Sequence, residues 1–405
     1  MKLKVMKAIV LIFLFLSVET SCKNSTTTPL AAEPVKPEVP EVSFRQLTEE
    51  EKQLYTERAT TLYSSFLNNK AFNGSILIAK NGQILAEKYN GFANFATKEA
   101  INQSTTFHLA SVSKTFTAMA ILRMVEQKQF SLDDDVRTFF PSFPYAGITV
   151  RLLLSHRSGL SNYAYIMPKS SYGLYTNDDV LNYYINNKPA LARPINTGFQ
   201  YCNTNYVILA KIIEKISGES YPTYMQTNIF TPLGMNSTYV CDRNNITTVP
   251  LSYTPGNRAY QIESFDAIYG DKNIYSNVRD LLTWDKVLYS GSFINPQTAA
   301  LAYQPTSNEK QTVNNYGLGW RLINKDDVNV VYHTGWWHGN CNIFTRIVQD
   351  TTTVIILSNR YNSTVFKSKA TAYAFAKDIL GRPRGDMSDV AAGDPTTELE
   401  GSGKE

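Results

Sequence analysis

Apolar residues along this chain recur in two rhythms that alternate from one end to the other. Thr48 and Glu51 form a capping-box pattern, and Leu54, Leu62 and Phe66 then recur at helical spacing, so a helix opens the globular part. Ser75-Ile-Leu-Ile-Ala79 and Ile84-Leu-Ala-Glu-Lys-Tyr89 flank Lys80-Asn81-Gly82-Gln83, and Asn-Gly between two apolar runs predicts an antiparallel hairpin. From Ser111 to about Tyr239 the period is mainly helical, as in Met119-Ala-Ile-Leu-Arg-Met-Val125 and Tyr206-Val-Ile-Leu-Ala-Lys-Ile-Ile213, broken by loops bearing Pro and Gly. Strand-like runs return at Tyr316-Gly-Leu-Gly-Trp-Arg-Leu322, at 328–333, at 342–348 and at 354–357, before a last helix over about 363–380. The pattern predicts an α/β fold, with one antiparallel sheet closed by segments from both ends of the chain, flanked by helices and carrying an inserted all-α subdomain. No internal repeat is present.

The termini follow a different logic. Lys2, Lys4 and Lys7 precede the apolar run 8–16 and a polar stretch ending at Cys22, the three zones of an export signal whose greasy part is too short to span a bilayer. Cys22 resembles the lipidation point of bacterial lipoproteins, although Glu19, Thr20 and Ser21 depart from the usual residues before it; the alternative is ordinary cleavage nearby, leaving Cys22 free or disulfide-bonded. Residues 23–44, with Pro34, Pro37 and Pro40, read as a flexible tether, 45–383 as one globular domain and 384–405 as a disordered tail. An exported protein of the cell envelope, facing the periplasm or exterior and held to the membrane by a lipid, is expected.

Composition narrows the function classes. With 405 residues, 43% hydrophobic and 18% charged, the chain has ample material for a packed core. Lys plus Arg number 39 against 35 acidic residues, a net +4 without long basic runs, which excludes the concentrated positive field of a nucleic-acid binder. His108, His156, His333 and His338 are scattered without metal spacing, so neither metal nor cofactor is expected. If Cys22 is lipidated, Cys202, Cys241 and Cys341 remain, and at most one disulfide can form.

Three short motifs carry candidate chemistry. Ser111-Val-Ser-Lys114 opens a helical pattern, and residues three apart share a helix face, so Lys114 reaches Ser111 and can take its proton. Ser307-Asn-Glu-Lys310 matches the same spacing by chance. Tyr201-Cys-Asn203 presents a phenol suited to proton relay and an amide suited to holding a substrate amide. The bare Y-x-N pattern recurs at Tyr175, Tyr184 and Tyr275, but only Tyr201 has a Gly198-Phe-Gln lead-in and a helix directly after it. His333-Thr334-Gly335 ends a strand-like run; Gly335 permits close approach of substrate, and His333 offers a donor or a switchable positive charge.

In this order, and with the flanks Leu153-Leu-Ser-His156-Arg-Ser-Gly159-Leu, Tyr316-Gly-Leu-Gly-Trp320 and Ile274-Tyr-Ser-Asn-Val-Arg-Asp280-Leu, the motifs resemble the serine β-lactamase and penicillin-binding-protein superfamily, its class C-like branch in particular. The resemblance covers roughly residues 45–380. It implies an exported serine hydrolase that forms an acyl-enzyme on Ser111, with Lys114 and Tyr201 sharing proton transfers. Asn203, His333, Thr334 and Gly335 would bind a peptide, lactam or ester, and the backbone N–H groups of Ser111 and Trp336 would form an oxyanion hole. His333 stands where many relatives carry lysine, and Trp336 and Trp337 where small residues are common; the rings would either wall the cleft or fill the core. His156 reads as a turn residue and Cys202 as a buried filler. The alternative is a binding or sensing protein on the same fold that stays acylated, to which both Lys114 and Tyr201 would be superfluous.

Overall fold

The computed structural model describes residues 44–67, 72–169, 173–310, 312–325, 328–379 and 390. The export signal, Cys22, nearly all of the tether and nearly all of the tail lie outside the described residues. Among the described residues, no helix is long and apolar enough to cross a membrane, and no group of three or more His, Cys, Asp or Glu gathers in metal-binding geometry.

The sheet is closed by segments from both ends of the chain, as the hydrophobic pattern predicts, but the run 316–322 is not one strand: it is broken by a turn with Gly319 at φ 83°, which separates the strand Asn314–Tyr316 from Arg321–Lys325. Seven antiparallel strands lie in the order 83–90, 74–80, 352–358, 340–347, 328–337, 321–325, 314–316, so the N-terminal hairpin pairs with the C-terminal strand and the intervening chain is inserted between them. Asn81 and Gly82 both adopt positive φ (49° and 66°), the conformation of a tight hairpin turn, in which glycine carries no penalty. Alternation then sorts the side chains. Leu77, Val331, Phe344, Ile355 and Leu357 face the inserted helices, while Ile76, Ile78, Val330, Tyr332, Ile343 and Ile356 face the C-terminal helix Ser368–Ile379. Because both faces are covered, the inner strands read as continuous apolar runs. Each fully buried aliphatic side chain contributes about 1.5–3 kcal/mol of transfer free energy.

The capping box forms at the start of the helix Glu49–Leu67. Glu51 N–H donates to Thr48 Oγ1 (3.2 Å) and Thr48 N–H donates to Glu51 Oε2 (3.0 Å). Leu54, however, is 43% exposed, while Ala59 is buried. The last helix begins later than its pattern suggests, because Asn362 caps a 3₁₀ turn, Ser363–Lys367, ahead of it.

The strand expected to end at His333 continues to Trp337, with Gly335 opposite Asn342 and Trp336 opposite Cys341. It stops only where His338, at φ 52°, turns the chain into the next strand. Among the described residues, Cys202, Cys241 and Cys341 are all buried and free, and no disulfide joins them; burial pushes their thiols up to about 11, 12 and 12 respectively.

Candidate active site

A sharp turn sets Ser111 in place. Phe107-His108 pairs with the strand Ile274–Ser276, and the chain then bends at Ala110, whose φ of 49° is the left-handed conformation that an alanine adopts only at a cost of about 1–2 kcal/mol. Two neighbours hold this turn. His108 Nδ1 accepts the Ala110 N–H (3.0 Å) while its Nε2–H donates to Asn273 Oδ1 (2.8 Å), and Leu109 N–H donates to Ile274 O (2.8 Å). Burial drives the His108 pKa down to about 4, which keeps the ring neutral and Nδ1 free to accept. A 3₁₀ turn, Ala110–Val112, carries Ser111 into the helix Ser113–Glu126.

The spacing argument for Lys114 holds in three dimensions. Lys114 is fully buried, and its Nζ lies 2.8 Å from Ser111 Oγ and 2.8 Å from Asp271 O. The Asp271 carbonyl accepts one ammonium proton and so fixes the direction of the rest. Tyr201 completes the group, with Lys114 Nζ 5.0 Å from the centre of its ring. Asn203 opens the helix Asn203–Ser217, and its Oδ1 has no hydrogen-bond partner among the described residues; Thr334 Oγ1 is in the same condition. Gly335 packs against the nucleophile turn. A Cβ there would meet Leu109 O at 2.2 Å and Ser111 N at 3.2 Å, so any side chain would displace the strand from the turn. The chance twins resolve differently. Ser307 binds Asn315 within a loop, and Asn277 caps the helix Val278–Ser290.

Of the two alternatives for His333, a donor or a switchable cation, its surroundings disfavour the cation. It is fully buried, its Nδ1–H donates to Thr334 O (2.6 Å), and its Nε2 accepts from the Tyr316 hydroxyl (3.2 Å). Burial, reinforced by the nearby Arg321 and Lys114, holds its pKa well below the usual histidine range. Both nitrogens are thus engaged by the protein, and the ring is neutral. The two tryptophans part company. Trp336 packs on the C-terminal-helix side against Tyr361, with its indole N–H on His338 O (3.0 Å). Trp337 lies on the other side, its indole N–H on Asp266 Oδ1 (2.8 Å) and its ring 4.8 Å from Lys272 Nζ. Trp336 is therefore a partly buried ring packed on the C-terminal-helix side, and Trp337 belongs to the side that carries Ser111.

Several residues of this region escaped the sequence reading. Arg321, 1% exposed, lies with its guanidinium 4.9 Å from the Tyr201 ring and 6.0 Å from that of Tyr316; it directly follows the Gly-Leu-Gly-Trp320 segment, and strand alternation there was the one signal available. Lys272, whose Nζ donates to the Tyr163 hydroxyl (2.6 Å) while that hydroxyl donates to Asp271 Oδ2 (2.9 Å), sits in a loop without any periodicity. A cavity of about 290 Å³ opens beside Tyr201, lined also by Ser161, Asn162, Tyr165, Ile166, Ala192 and Gln200.

Comparison with known proteins identifies the family and the fold. The model of the Beta-lactamase family matches residues 57–378. A penicillin-binding protein of Bacillus subtilis is 32% identical over 353 residues, covering 82% of this chain and 78% of that protein. A D-aminopeptidase of Brucella melitensis is 25% identical over 226 residues, 55% of this chain and 43% of that protein. Among solved structures, the octameric penicillin-binding protein homologue from Pyrococcus abyssi superposes with a TM-score of 0.68 at 24% identity, covering 82% of this chain and 79% of that one.

Proposed function

Since this chain belongs to the Beta-lactamase family, we propose that it is an exported serine hydrolase that cleaves amide, lactam or ester bonds of small molecules or peptides through an acyl-enzyme on Ser111. The observation that carries the reading is the buried Lys114 Nζ, 2.8 Å from Ser111 Oγ and tied to the Asp271 carbonyl. A lysine desolvated in this way can give up its proton near neutrality and then accept the one on Ser111.

In the first step Ser111 Oγ attacks the substrate carbonyl and its proton passes to the Lys114–Tyr201 pair. The negative charge forming on the carbonyl oxygen falls to the backbone N–H groups of Ser111 and Trp336, each such donor being worth about 3 kcal/mol in the transition state. The departing amine or alkoxide then takes the proton back, and a water activated by Tyr201 releases the acid. Asn203 Oδ1 and Thr334 Oγ1 supply polar atoms for the substrate's own amide. With His333 neutral, the cationic contact that many relatives make through lysine at this position is missing, which favours amide and ester acyl groups over recognition of a lactam carboxylate there. The envelope location and lipid anchor belong to the same proposal, since Cys22 follows an export signal.

Labelling with a fluorophosphonate or a fluorescent penicillin, followed by mass mapping, should modify Ser111 alone; modification elsewhere, or none with either probe, overturns the reading. A parallel turnover screen on nitrocefin, D-alanyl peptides and p-nitrophenyl esters should find release of product from at least one class. A chain that is acylated and then stays so would be a sensor.

A further inference from the structure

The turn residue His156 lies directly behind Tyr201. It sits at φ 55°, immediately after the helix Val150–Leu154 and Ser155, and is fully buried. Both of its polar backbone-facing groups hold the Tyr201 segment. Its carbonyl accepts the N–H of Gln200 (2.9 Å), the residue before Tyr201, and its Nδ1 accepts the N–H of Cys202 (3.1 Å), the residue after it. Between those two clamps the imidazole lies against the phenol ring, with centroids 4.3 Å apart and planes 35° from parallel.

The wiring fixes the tautomer. Ser158 Oγ–H donates to Asn205 Oδ1 (2.7 Å), which turns the Asn205 Nδ2 toward His156 Nδ1 (3.2 Å). With two donors aimed at it, Nδ1 must be the acceptor and Nε2 must carry the hydrogen. That Nε2 is buried without a hydrogen-bond partner among the described residues, with the rings of Tyr201, Tyr206 and Tyr316 around it at 4.3, 5.2 and 4.9 Å between centroids. A buried N–H without an oxygen partner costs free energy, and the αL backbone adds to that cost. A turn that needed only to reverse the chain would be served by glycine or asparagine without either penalty.

We propose that His156 is the positioning residue of Tyr201: it holds the phenol ring beside Lys114, whose Nζ lies 5.0 Å from the ring centre, by clamping the backbone on both sides of it and backing its ring. The inference rests on the reading of Tyr201 as a proton-transfer group. A misplacement of about 1 Å at such a group can cost on the order of a hundredfold in rate.

The test measures acylation of Ser111 by a fluorophosphonate, normalised to the sites that label at saturation, so that loss of folded protein does not enter. His156→Phe keeps a ring but removes the acceptor, and should lower the maximal acylation rate about 10- to 100-fold while leaving the half-saturating probe concentration within about twofold. His156→Asn, which tolerates αL and returns an acceptor at the position of Nδ1, should stay within about threefold of the parent. In a Tyr201→Phe background, His156→Phe should change the rate by less than about twofold, since its effect passes through the phenol. A normal rate for His156→Phe, or an equal loss with and without the Tyr201 hydroxyl, overturns the proposal. If Tyr201→Phe alone acylates at the parent rate, the proton-transfer role of Tyr201 falls, and the proposal with it, while Ser111 chemistry stands. A purely structural His156 would lower the labelled fraction and the melting temperature with no change in rate per site. Should His156→Phe fail to fold, or the parent take no label, the imidazole ¹⁵N spectrum of the parent decides the wiring: an Nε2–H tautomer is expected, and Nδ1–H refutes it.

Discussion

Two regions of this molecule bury cations, and their contacts differ in kind. At one end of the sheet, Lys80 Nζ meets Asp350 Oδ1 at 2.7 Å, and Arg346 Nε meets Asp285 Oδ1 at 2.5 Å, with Thr353 Oγ1 donating to the other oxygen of the same carboxylate. Near Ser111, Lys114 meets a hydroxyl and a carbonyl, and Arg321 lies across the faces of two tyrosines. A carboxylate at ion-pair distance cancels a charge locally, so the first region is electrically quiet and serves the fold. In the second, the positive field reaches its neighbours: Arg321 and Lys114 help burial hold His333 and His156 neutral, and a cation beside an ammonium or a phenol favours loss of their protons. One arrangement pairs its cations with carboxylates, and the other lays theirs against hydroxyls, carbonyls and rings, as the proposed proton transfer requires.

The largest effect that would separate the two regions is on rate. Lys114→Met removes the proton acceptor beside Ser111 while keeping much of the volume, and acylation by a fluorophosphonate should fall by about 10³-fold or more, with unfolding by urea changed by less than about 2 kcal/mol. Acylation within tenfold of the parent would show that Lys114 is not the activating base.

The reverse pattern is expected at the quiet end. Asp285→Ala strands Arg346 in a fully buried site, and breaking such a pair costs about 3–5 kcal/mol. Urea unfolding should report that loss, while the acylation rate per labelled site stays within about twofold. A loss below about 1 kcal/mol would mean that the Arg346 charge is compensated by its aromatic neighbours, Tyr289, Tyr303 and Trp320, and the contrast between the regions would narrow.

How far the sequence anticipates these regions depends on whether the relevant contact is local. Lys114 lies one helical turn from Ser111, and the hairpin at Asn81-Gly82 is a two-residue signal, so both are legible from spacing alone. That one sheet is closed by segments from both ends of the chain is again a pattern visible without side-chain geometry, whereas the strand order and the break at 317–320 are not. His333 is different. Its neutrality is imposed by depth and by the nearby Arg321 and Lys114, from other parts of the chain, and no linear pattern carries that information. The paired role of His156 was hidden for the same reason, since Cys202 and Asn205 reach it across more than forty positions. Trp336 and Trp337 were left between wall and core, and strand alternation assigns one ring to each side.

The smallest effect sharpens the contrast through acid. Three buried histidines are held neutral in the folded chain: His108, lowered to about 4 chiefly by burial, and His156 and His333, both lowered well below 6.5 by burial and then by nearby cations. Above pH 6.5 neither the folded nor the unfolded chain protonates these rings, and they cost nothing. As pH falls from 6.5 toward the folded pKa values, the unfolded chain binds protons that the folded chain refuses, so stability is lost as acidity rises, by up to about 1.4 kcal/mol per pH unit for each ring. Between pH 7.5 and 5.0 each should remove stability, with about 2 kcal/mol as the upper limit that the unfolded-chain pKa sets. His333→Gln keeps a polar side chain and deletes one such titration, so its urea unfolding should show a smaller pH 7.5 to 5.0 loss than the parent's, by at most about 2 kcal/mol, whatever its stability at pH 7.5. A variant that keeps the parent's full acid loss would place His333 among groups that protonate in the folded state, and would return to it the cationic role that its burial now denies.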